Sequence, residues 1–109
     1  MNQLQVQELT DWVREHPGTV LLDVREPWET ALASIDLPGT TTLRLPMSAL
    51  AARIDEVPRS QPVVCICHHG ARSAQVVAFL LRAGWPDVYN LRGGVDAWSC
   101  QVDAAVPRY

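Results

Sequence analysis

The amino-acid sequence predicts an α/β fold built on a mostly parallel sheet. Two observations predict it: short apolar runs, typical of strands buried on both faces, recur along the chain, and segments of helical periodicity separate them. Strands that alternate with helices are joined by right-handed crossovers, which make neighbouring strands parallel. In such sheets the ligand site lies beyond the carboxyl ends of the strands, so functional residues are expected in the loops that leave them.

The first third of the chain predicts an edge strand, a helix and a buried strand. Residues 3–6 are a candidate edge strand, and residues 20–24 form an apolar run that ends in a charged turn. Between them, apolar side chains recur at helical spacing, namely Leu9, Trp12 and Val13.

The middle of the chain predicts a brief helix over residues 28–33, a turn at Pro38 and Gly39, and a strand over residues 41–45. Ser48 is a candidate cap for a further helix. The buried face of that helix would consist of Leu50, Ile54 and Val57.

The last third contains the clearest strand and the clearest helix. Residues 62–67 are an apolar strand, residues 71–83 are helical, and residues 88–91 form a final short strand before the turn at Gly93 and Gly94. The apolar face predicted for the helix is formed by Ala74, Val77, Ala78 and Leu81. We expect Trp98 to pack in the core beneath the glycine turn.

Length and charge exclude several classes of function. With 109 residues the chain has room for one domain, spanning residues 1–109. A net charge of −3 argues against an electrostatic nucleic-acid binder, which needs a dense basic patch. All nine basic residues are arginines, which excludes a Schiff-base lysine. We expect a monomer.

The cysteine count predicts a reducing environment. Three cysteines, two of them only two positions apart, do not make a disulfide framework. The first residues lack the apolar run of a secretory signal, and no stretch approaches the length of a membrane span. We therefore expect a cytoplasmic protein that does not contact membranes and whose thiols stay free.

The loop after the clearest strand has the composition of a site for an anionic sulfur. Cys67 ends the strand, and a helix begins about four residues later, so backbone N–H groups at the helix start point towards it and stabilise a thiolate. Gly70 lets the loop curl, Arg72 adds a fixed positive charge with forked donors, and the hydroxyl of Ser73 helps to hold the loop.

Here the sequence resembles the single-domain rhodanese family. The loop Cys67-His68-His69-Gly70-Ala71-Arg72-Ser73 is similar to the Cys-x-x-Gly-x-Arg-Ser active-site loop of that family. Residues 22–27 resemble its Asp-Val-Arg-Glu signature, and residues 88–98 resemble its Gly-Gly-x-x-Ala-Trp ending. The three blocks occur in the family's order and span nearly the whole chain. A histidine that the family often has before its third strand is missing in residues 34–40.

The resemblance implies a rhodanese-like fold: a five-stranded, mostly parallel sheet flanked by helices on both faces, with the Cys67 strand beside those that end near Arg25 and Gly93. It implies that Cys67 takes the outer sulfur of a small donor such as thiosulfate as a persulfide and passes it to cyanide or a thiol, without any cofactor. It also implies a set of substrate-binding loop residues, namely His68, His69, Gly70, Ala71, Arg72 and Ser73.

The same resemblance implies that Asp23, Arg25, Gly93 and Gly94 brace the loops around the site. For Asp23 and Arg25 a plain surface ion pair is the competing interpretation.

Two other functions are compatible with this scaffold. One is phosphatase-like chemistry, against which the length of the loop argues: six residues from Cys67 to Arg72 match the shorter loop of the family's sulfurtransferases, while its phosphatase relatives have one more residue. The other is a binding or sulfur-relay module that accepts a persulfide from a partner protein, which would keep the same residues.

The remaining cysteines and histidines have simpler interpretations. Cys65 is predicted to be a small buried hydrophobe, and Cys100 is predicted to be incidental. A metal site formed by Cys65, Cys67, His68 and His69 is disfavoured, because side chains alternate along a strand, and we expect no metal. We expect the two imidazoles to face outward at the mouth of the loop.

Overall fold

The computed structural model describes residues 2–109, and its secondary structure alternates between strands and helices as the sequence predicts. The strands are β1 Gln3–Gln5, β2 Val20–Asp23, β3 Thr41–Arg44, β4 Val63–Ile66 and β5 Val88–Arg92. The helices are α1 Val6–Glu15, α2 Pro27–Leu32, α3 Ala71–Arg82 and α4 Gly94–Gln101.

The five strands form one parallel sheet in the order β1-β5-β4-β2-β3, which confirms the predicted fold class. The central strand β4 pairs with β2 and with β5, so that Cys65 lies between Leu22 and Asn90. The three loops that leave these strands therefore meet at one edge of the sheet. This is where the sequence places Cys67, Arg25 and Gly93.

Helices cover both faces of the sheet, because alternate strand residues point to opposite sides. On β4, Val63 and Cys65 pack with the buried side of α3, while Val64 and Ile66 pack with α1 and α4. Strands buried on both faces explain the continuous apolar runs in the sequence.

Two helix starts are built by reciprocal capping. Gln5 and Glu8 cap α1, and Glu26 and Glu29 cap α2, in each case with the side chain and the backbone of both residues exchanging contacts. Pro27 occupies the first turn of α2, where its missing N–H is not needed.

None of the helices within residues 2–109 combines the length and apolarity that crossing a bilayer requires.

The predicted face of α3 is wrong by one residue. The buried side chains are Ser73, Val76, Val77 and Leu80, whereas Leu81 is 39% exposed. Ser73 contacts the Cys67 sulfur, which sets the rotation of the helix, and the larger Val76 and Leu80 then fill the core in place of the small alanines.

The helix predicted after Ser48 is also wrong. Two short 3₁₀ turns, Met47–Ala49 and Ile54–Glu56, take its place. Val57 is extended because Pro58 follows it, and a residue before proline avoids the helical conformation. Leu50 and Val57 nevertheless reach the core as the sequence predicts.

Candidate active site

Cys67 is the first residue after the central strand β4, and only 1% of it is exposed. Its position follows from the sheet order, because β4 is flanked on both sides and its carboxyl end faces the start of α3. The thiol therefore lies at the floor of the site and not on its rim.

Three polar groups surround the sulfur of Cys67. The backbone N–H groups of Gly70 and Ser73 donate to Sγ over 3.0 and 3.3 Å, and the Ser73 hydroxyl lies 3.2 Å from it. Gly70 has a φ of +102°, a left-handed conformation that turns its N–H inward and that side chains other than glycine resist. Backbone donors at the start of a helix stabilise negative charge, so this cradle favours a thiolate.

The first two carbonyl groups of the same loop, those of Cys67 and His68, accept hydrogen bonds from α4. The N–H of Val95 donates to the carbonyl of Cys67 and that of Asp96 to the carbonyl of His68, each over 3.0 Å. A Cβ at Gly94 would lie 2.3 Å from the Cys67 carbonyl oxygen, so only glycine permits this approach. Gly93, with a φ of +80°, precedes α4 as its N-cap. The glycine pair thus couples the loop to the last helix.

Ser73 is held in turn by Asn90 of β5, a buried residue with an exposed fraction of 3%. The Ser73 hydroxyl contacts Asn90 Oδ1, and Asn90 Nδ2 donates to the carbonyl of Gly70 over 3.2 Å. Asn90 therefore contacts both residues that supply an N–H to the sulfur.

Arg72 forms a two-pronged contact with a carboxylate from another helix. Its terminal nitrogens donate to the two oxygens of Glu29 over 2.6 and 2.7 Å. This contact holds the pKa of Glu29 at about 2, below its ordinary 4.5, and raises the pKa of Arg72. The side chain of Arg72 remains 36% exposed despite this contact.

Asp23 and Arg25 form a buried network, which excludes the surface ion pair considered above. Arg25 is 1% and Asp23 4% exposed, and Arg25 Nη2 donates to Asp23 Oδ2 over 2.7 Å. The guanidinium also donates to the carbonyl of Ala33 and to the hydroxyl of Tyr109. Together these contacts tie the end of β2 to the segment after α2 and to residue 109.

Tyr109 connects this network to the loop. Its hydroxyl donates to Glu29 Oε2 over 2.9 Å, and its ring stacks on His68 with the ring centres 3.8 Å apart. His68 also stacks on His69, whose side chain is 65% exposed. Burial lowers the pKa of the His68 imidazole, and the neighbouring His69 lowers it further.

The two histidines differ in their exposure, and Ala71 lies beside them. His69 faces outward as predicted, whereas His68 is half-buried against Tyr109. Ala71 is the exposed first residue of α3.

Within residues 2–109, one group has the composition of a metal site. His68, His69 and Asp96 each bring a ligand atom to within 4.8 Å of the others. Asp96 is already bound by Arg108 over 2.9 Å. This set differs from the one considered in the sequence, because Asp96 replaces the two cysteines.

The other two cysteines differ in burial, and the buried position predicted for Cys65 is confirmed. Cys65 is fully buried in the same core as Cys67, and burial raises the pKa of its thiol. Cys100 is exposed on α4. Among the described cysteines, the sulfur of Cys67 is the one that the loop surrounds.

Three residues of this site were missed in the sequence: Glu29, Asn90 and Tyr109. The signal for Asn90 was a polar residue inside an otherwise apolar strand. Glu29 lies three residues after Glu26 and was visible as part of a helix cap. Nothing in the pattern around Tyr109 points to the site.

Comparison with known proteins supports the resemblance seen in the sequence. Residues 5–101 match the Rhodanese-like domain family. The chain is 35% identical over 99 residues to a sulfurtransferase of Allochromatium vinosum, covering 91% of this chain and 89% of that protein. It is 36% identical over 81 residues to the thiosulfate sulfurtransferase GlpE of Pseudomonas syringae, covering 74% and 73%. The crystal structure of a rhodanese-related protein from Thermoplasma volcanium superposes with a TM-score of 0.81 at 27% identity, covering 94% of each chain.

Proposed function

Because this chain belongs to the rhodanese-like domain family, we propose that it is a thiosulfate-type sulfurtransferase that carries its sulfur on Cys67. The observation that carries the proposal is the cradle around Sγ, where two backbone N–H groups lie within 3.3 Å of the sulfur. A thiolate stabilised in this way needs no separate base to attack a donor.

In the first step the thiolate of Cys67 attacks the outer sulfur of thiosulfate. The new bond joins Sγ to that sulfur, the bond between the two sulfurs of thiosulfate breaks, and sulfite leaves with the electron pair. The product is a Cys67 persulfide, and no proton or external electron is required. Arg72 is the cation beside the site for an anionic donor, since its guanidinium keeps N–H donors beyond the two that bind Glu29 and its side chain is partly exposed.

In the second step a nucleophile attacks the outer sulfur of the persulfide. Cyanide is converted to thiocyanate, or an acceptor thiolate is converted to a persulfide. The bond between Sγ and the outer sulfur breaks, and Sγ keeps its electron pair. The enzyme returns to its thiolate form, so the two half-reactions alternate. The same N–H groups that hold the thiolate support it as the leaving group. No cofactor takes part.

The length of the loop favours sulfur over a phosphoryl group as the cargo. The six residues from Cys67 to Arg72 match the shorter loop of the family's sulfurtransferases, while its phosphatase relatives have one more residue. The relatives named sulfurtransferase and thiosulfate sulfurtransferase agree with this assignment. The reaction needs a free thiol, which fits a reducing compartment such as the cytoplasm.

The proposal is tested by intact mass after incubation with thiosulfate. The wild-type protein should gain the mass of one sulfur atom, and cyanide should remove it as thiocyanate. Cys67→Ser should gain nothing. Cys100→Ser is the matched control, since it removes an exposed thiol, and it should load like the wild type. A sulfur adduct that persists in Cys67→Ser would refute the proposal.

A further inference from the structure

The hydroxyl of Ser73 lies between two partners and has one hydrogen to give. Cys67 Sγ is 3.2 Å from the hydroxyl oxygen, and Asn90 Oδ1 is 2.5 Å from it. A hydroxyl donates one hydrogen bond and accepts others through its lone pairs. It can therefore donate to the sulfur or to Asn90, but not to both.

The surroundings of Asn90 decide which of the two receives the proton. Asn90 Nδ2 lies 3.2 Å from the carbonyl oxygen of Gly70, a group that can only accept. Nδ2 must therefore face Gly70, and Oδ1 must face Ser73. Oδ1 has no hydrogen, so the Ser73 hydroxyl donates to it and presents a lone pair to Cys67.

We propose that Asn90 is a positioning residue that controls the direction of the Ser73 hydroxyl. Because the hydroxyl donates its hydrogen to Asn90, it can accept a hydrogen bond from the Cys67 thiol but cannot donate one to the Cys67 thiolate. Among residues 2–109, the donors that then hold the thiolate are the backbone N–H groups of Gly70 and Ser73. Each further hydrogen bond to a thiolate makes it a weaker nucleophile, as thiols of lower pKa are. Asn90 thus keeps the sulfur reactive while its amide end fixes the Gly70 carbonyl.

Asparagine is well suited to this task. Its side chain carries an acceptor and a donor at the same end, and here one faces Ser73 while the other faces Gly70. A leucine or valine at this position would offer neither. The inference rests on the proposed function only in taking Cys67 as the reacting thiol.

Other charged and titratable groups lie on the elements packed around Cys67. Cys65 shares its core, and the charge of Arg72 on α3 is countered by Glu29 on α2. The strand β5 presents the neutral Asn90. The groups contributed by the loop and by α4 are His68, His69 and Asp96. Removing the Ser73 hydroxyl leaves all of these in place, so it isolates the contribution of that hydroxyl.

The test is the pH dependence of Cys67 alkylation by iodoacetamide, followed by intact mass in a Cys100→Ser background. Substituting Ser73→Ala should leave the midpoint of this profile within about 0.3 pH units of its original value or move it lower, because the hydroxyl does not donate to the thiolate. A rise of about one pH unit, a tenfold loss of thiolate at fixed pH, would show a hydroxyl that donates to sulfur and would overturn the proposal.

A second arm removes Asn90. In an Asn90→Leu background the freed hydroxyl should turn to the sulfur, so Ser73→Ala should now raise the midpoint by about one pH unit. Asn90→Val serves the same purpose if leucine does not fold. An effect of Ser73→Ala that is equal with and without Asn90 would also overturn the proposal.

Ser99→Ala is the matched control. Ser99 is a buried serine whose hydroxyl donates to the Val106 carbonyl on the other side of the sheet, so its loss should not move the midpoint. Alkylation uses no sulfur donor, so these results remain decisive even if thiosulfate fails to load the protein.

Discussion

Arg72 and Glu29 form a bidentate ion pair with N–O distances of 2.6 and 2.7 Å. The pair joins the first turn of α3, which follows the Cys67 loop, to the first turn of α2. Glu29 is 4% exposed and also accepts a hydrogen bond from Tyr109. The arginine of the Cys67 loop is therefore anchored by a residue 43 positions away in the chain.

Arg72→Ala should destabilise the fold by about 2–4 kcal/mol, because it leaves a buried carboxylate without its cation. The double variant Arg72→Ala with Glu29→Gln should recover part of that loss, since the uncompensated charge is then gone. Urea unfolding followed by tryptophan fluorescence measures both. Arg53→Ala, which breaks an exposed ion pair with Glu56, is the control and should change the free energy of unfolding little. Equal losses in Arg72→Ala and in the double variant would contradict the prediction.

Arg72→Ala should also raise the KM for thiosulfate by about tenfold, because a charge-assisted contact to an anionic donor is lost. Steady-state kinetics with thiosulfate and cyanide measure this effect at a temperature where the variant is folded. Thiosulfate kinetics equal to those of the wild type would remove the proposed role of Arg72 in donor binding.

The stability of the protein should fall in acid because of Glu29. Its pKa is lowered from 4.5 to about 2 in the folded state, chiefly by the hydrogen bonds from Arg72, so its ionised form stabilises the fold. That stabilisation is fully present above about pH 5 and is lost as the pH falls towards 2. It amounts to roughly 2–3 kcal/mol. Unfolding free energies measured in urea between pH 2 and 7 should show this slope in the wild type.

The matched variant for that slope is Glu29→Gln, which cannot ionise. Between pH 5 and 2 its free energy of unfolding should fall less than that of the wild type. If the two proteins lost the same stability over this range, the slope would have to come from other carboxylates.

Gly94→Ala should damage both the fold and the site. The added Cβ would lie 2.3 Å from the Cys67 carbonyl oxygen and 2.6 Å from that of His68, so the loop must shift. A displacement of this size should cost several kcal/mol and reduce persulfide formation by at least about tenfold. Sulfur loading by intact mass, together with thermal unfolding, measures both effects.

Gly39→Ala separates this effect from backbone strain alone. Gly39 has a φ of +82°, but a Cβ there would meet nothing within 4 Å. It should cost about 1 kcal/mol and leave sulfur loading unchanged. Equal damage from the two alanines would show that φ, and not the approach to the Cys67 loop, accounts for the result.

Tyr109→Phe should destabilise the fold by about 1–2 kcal/mol. The substitution keeps the ring that stacks on His68 and removes the hydroxyl that accepts from Arg25 and donates to Glu29. Two buried charged groups then lose a partner each. Tyr89→Phe is the control, because the Tyr89 hydroxyl bonds to Asp87, away from this network. The prediction fails if both phenylalanine variants lose the same stability in urea.

The sheet and the cysteine loop could be predicted because their signals are contiguous in the chain. The central strands β2 and β4 are apolar runs, and the groups that surround Sγ come from Cys67 to Ser73. The rotation of α3 could not be predicted in the same way. Its small alanines fit either the core or its edge, so periodicity alone did not identify Ser73 as inward-facing.

The outer parts of the site could not be predicted because they are brought together by tertiary structure. Glu29 is 43 residues from Arg72, and Tyr109 is 80 residues from Glu29. In the local sequence, Glu29 resembles an ordinary helix-capping residue and Tyr109 an isolated aromatic residue. Their roles depend on sheet order and helix packing, which no local pattern encodes.

The hydrogen bonds from Val95 and Asp96 to the carbonyls of Cys67 and His68 limit how this site can evolve. An extra residue between Cys67 and Arg72 would lengthen a loop whose first two carbonyls are pinned to α4 and whose last residues belong to α3. The insertion would have to bulge between two anchored ends, and both helices would need to move to make room. A change of cargo from sulfur to a larger oxyanion therefore requires coordinated changes in α3, α4 and the glycine turn, and one inserted codon would not be sufficient.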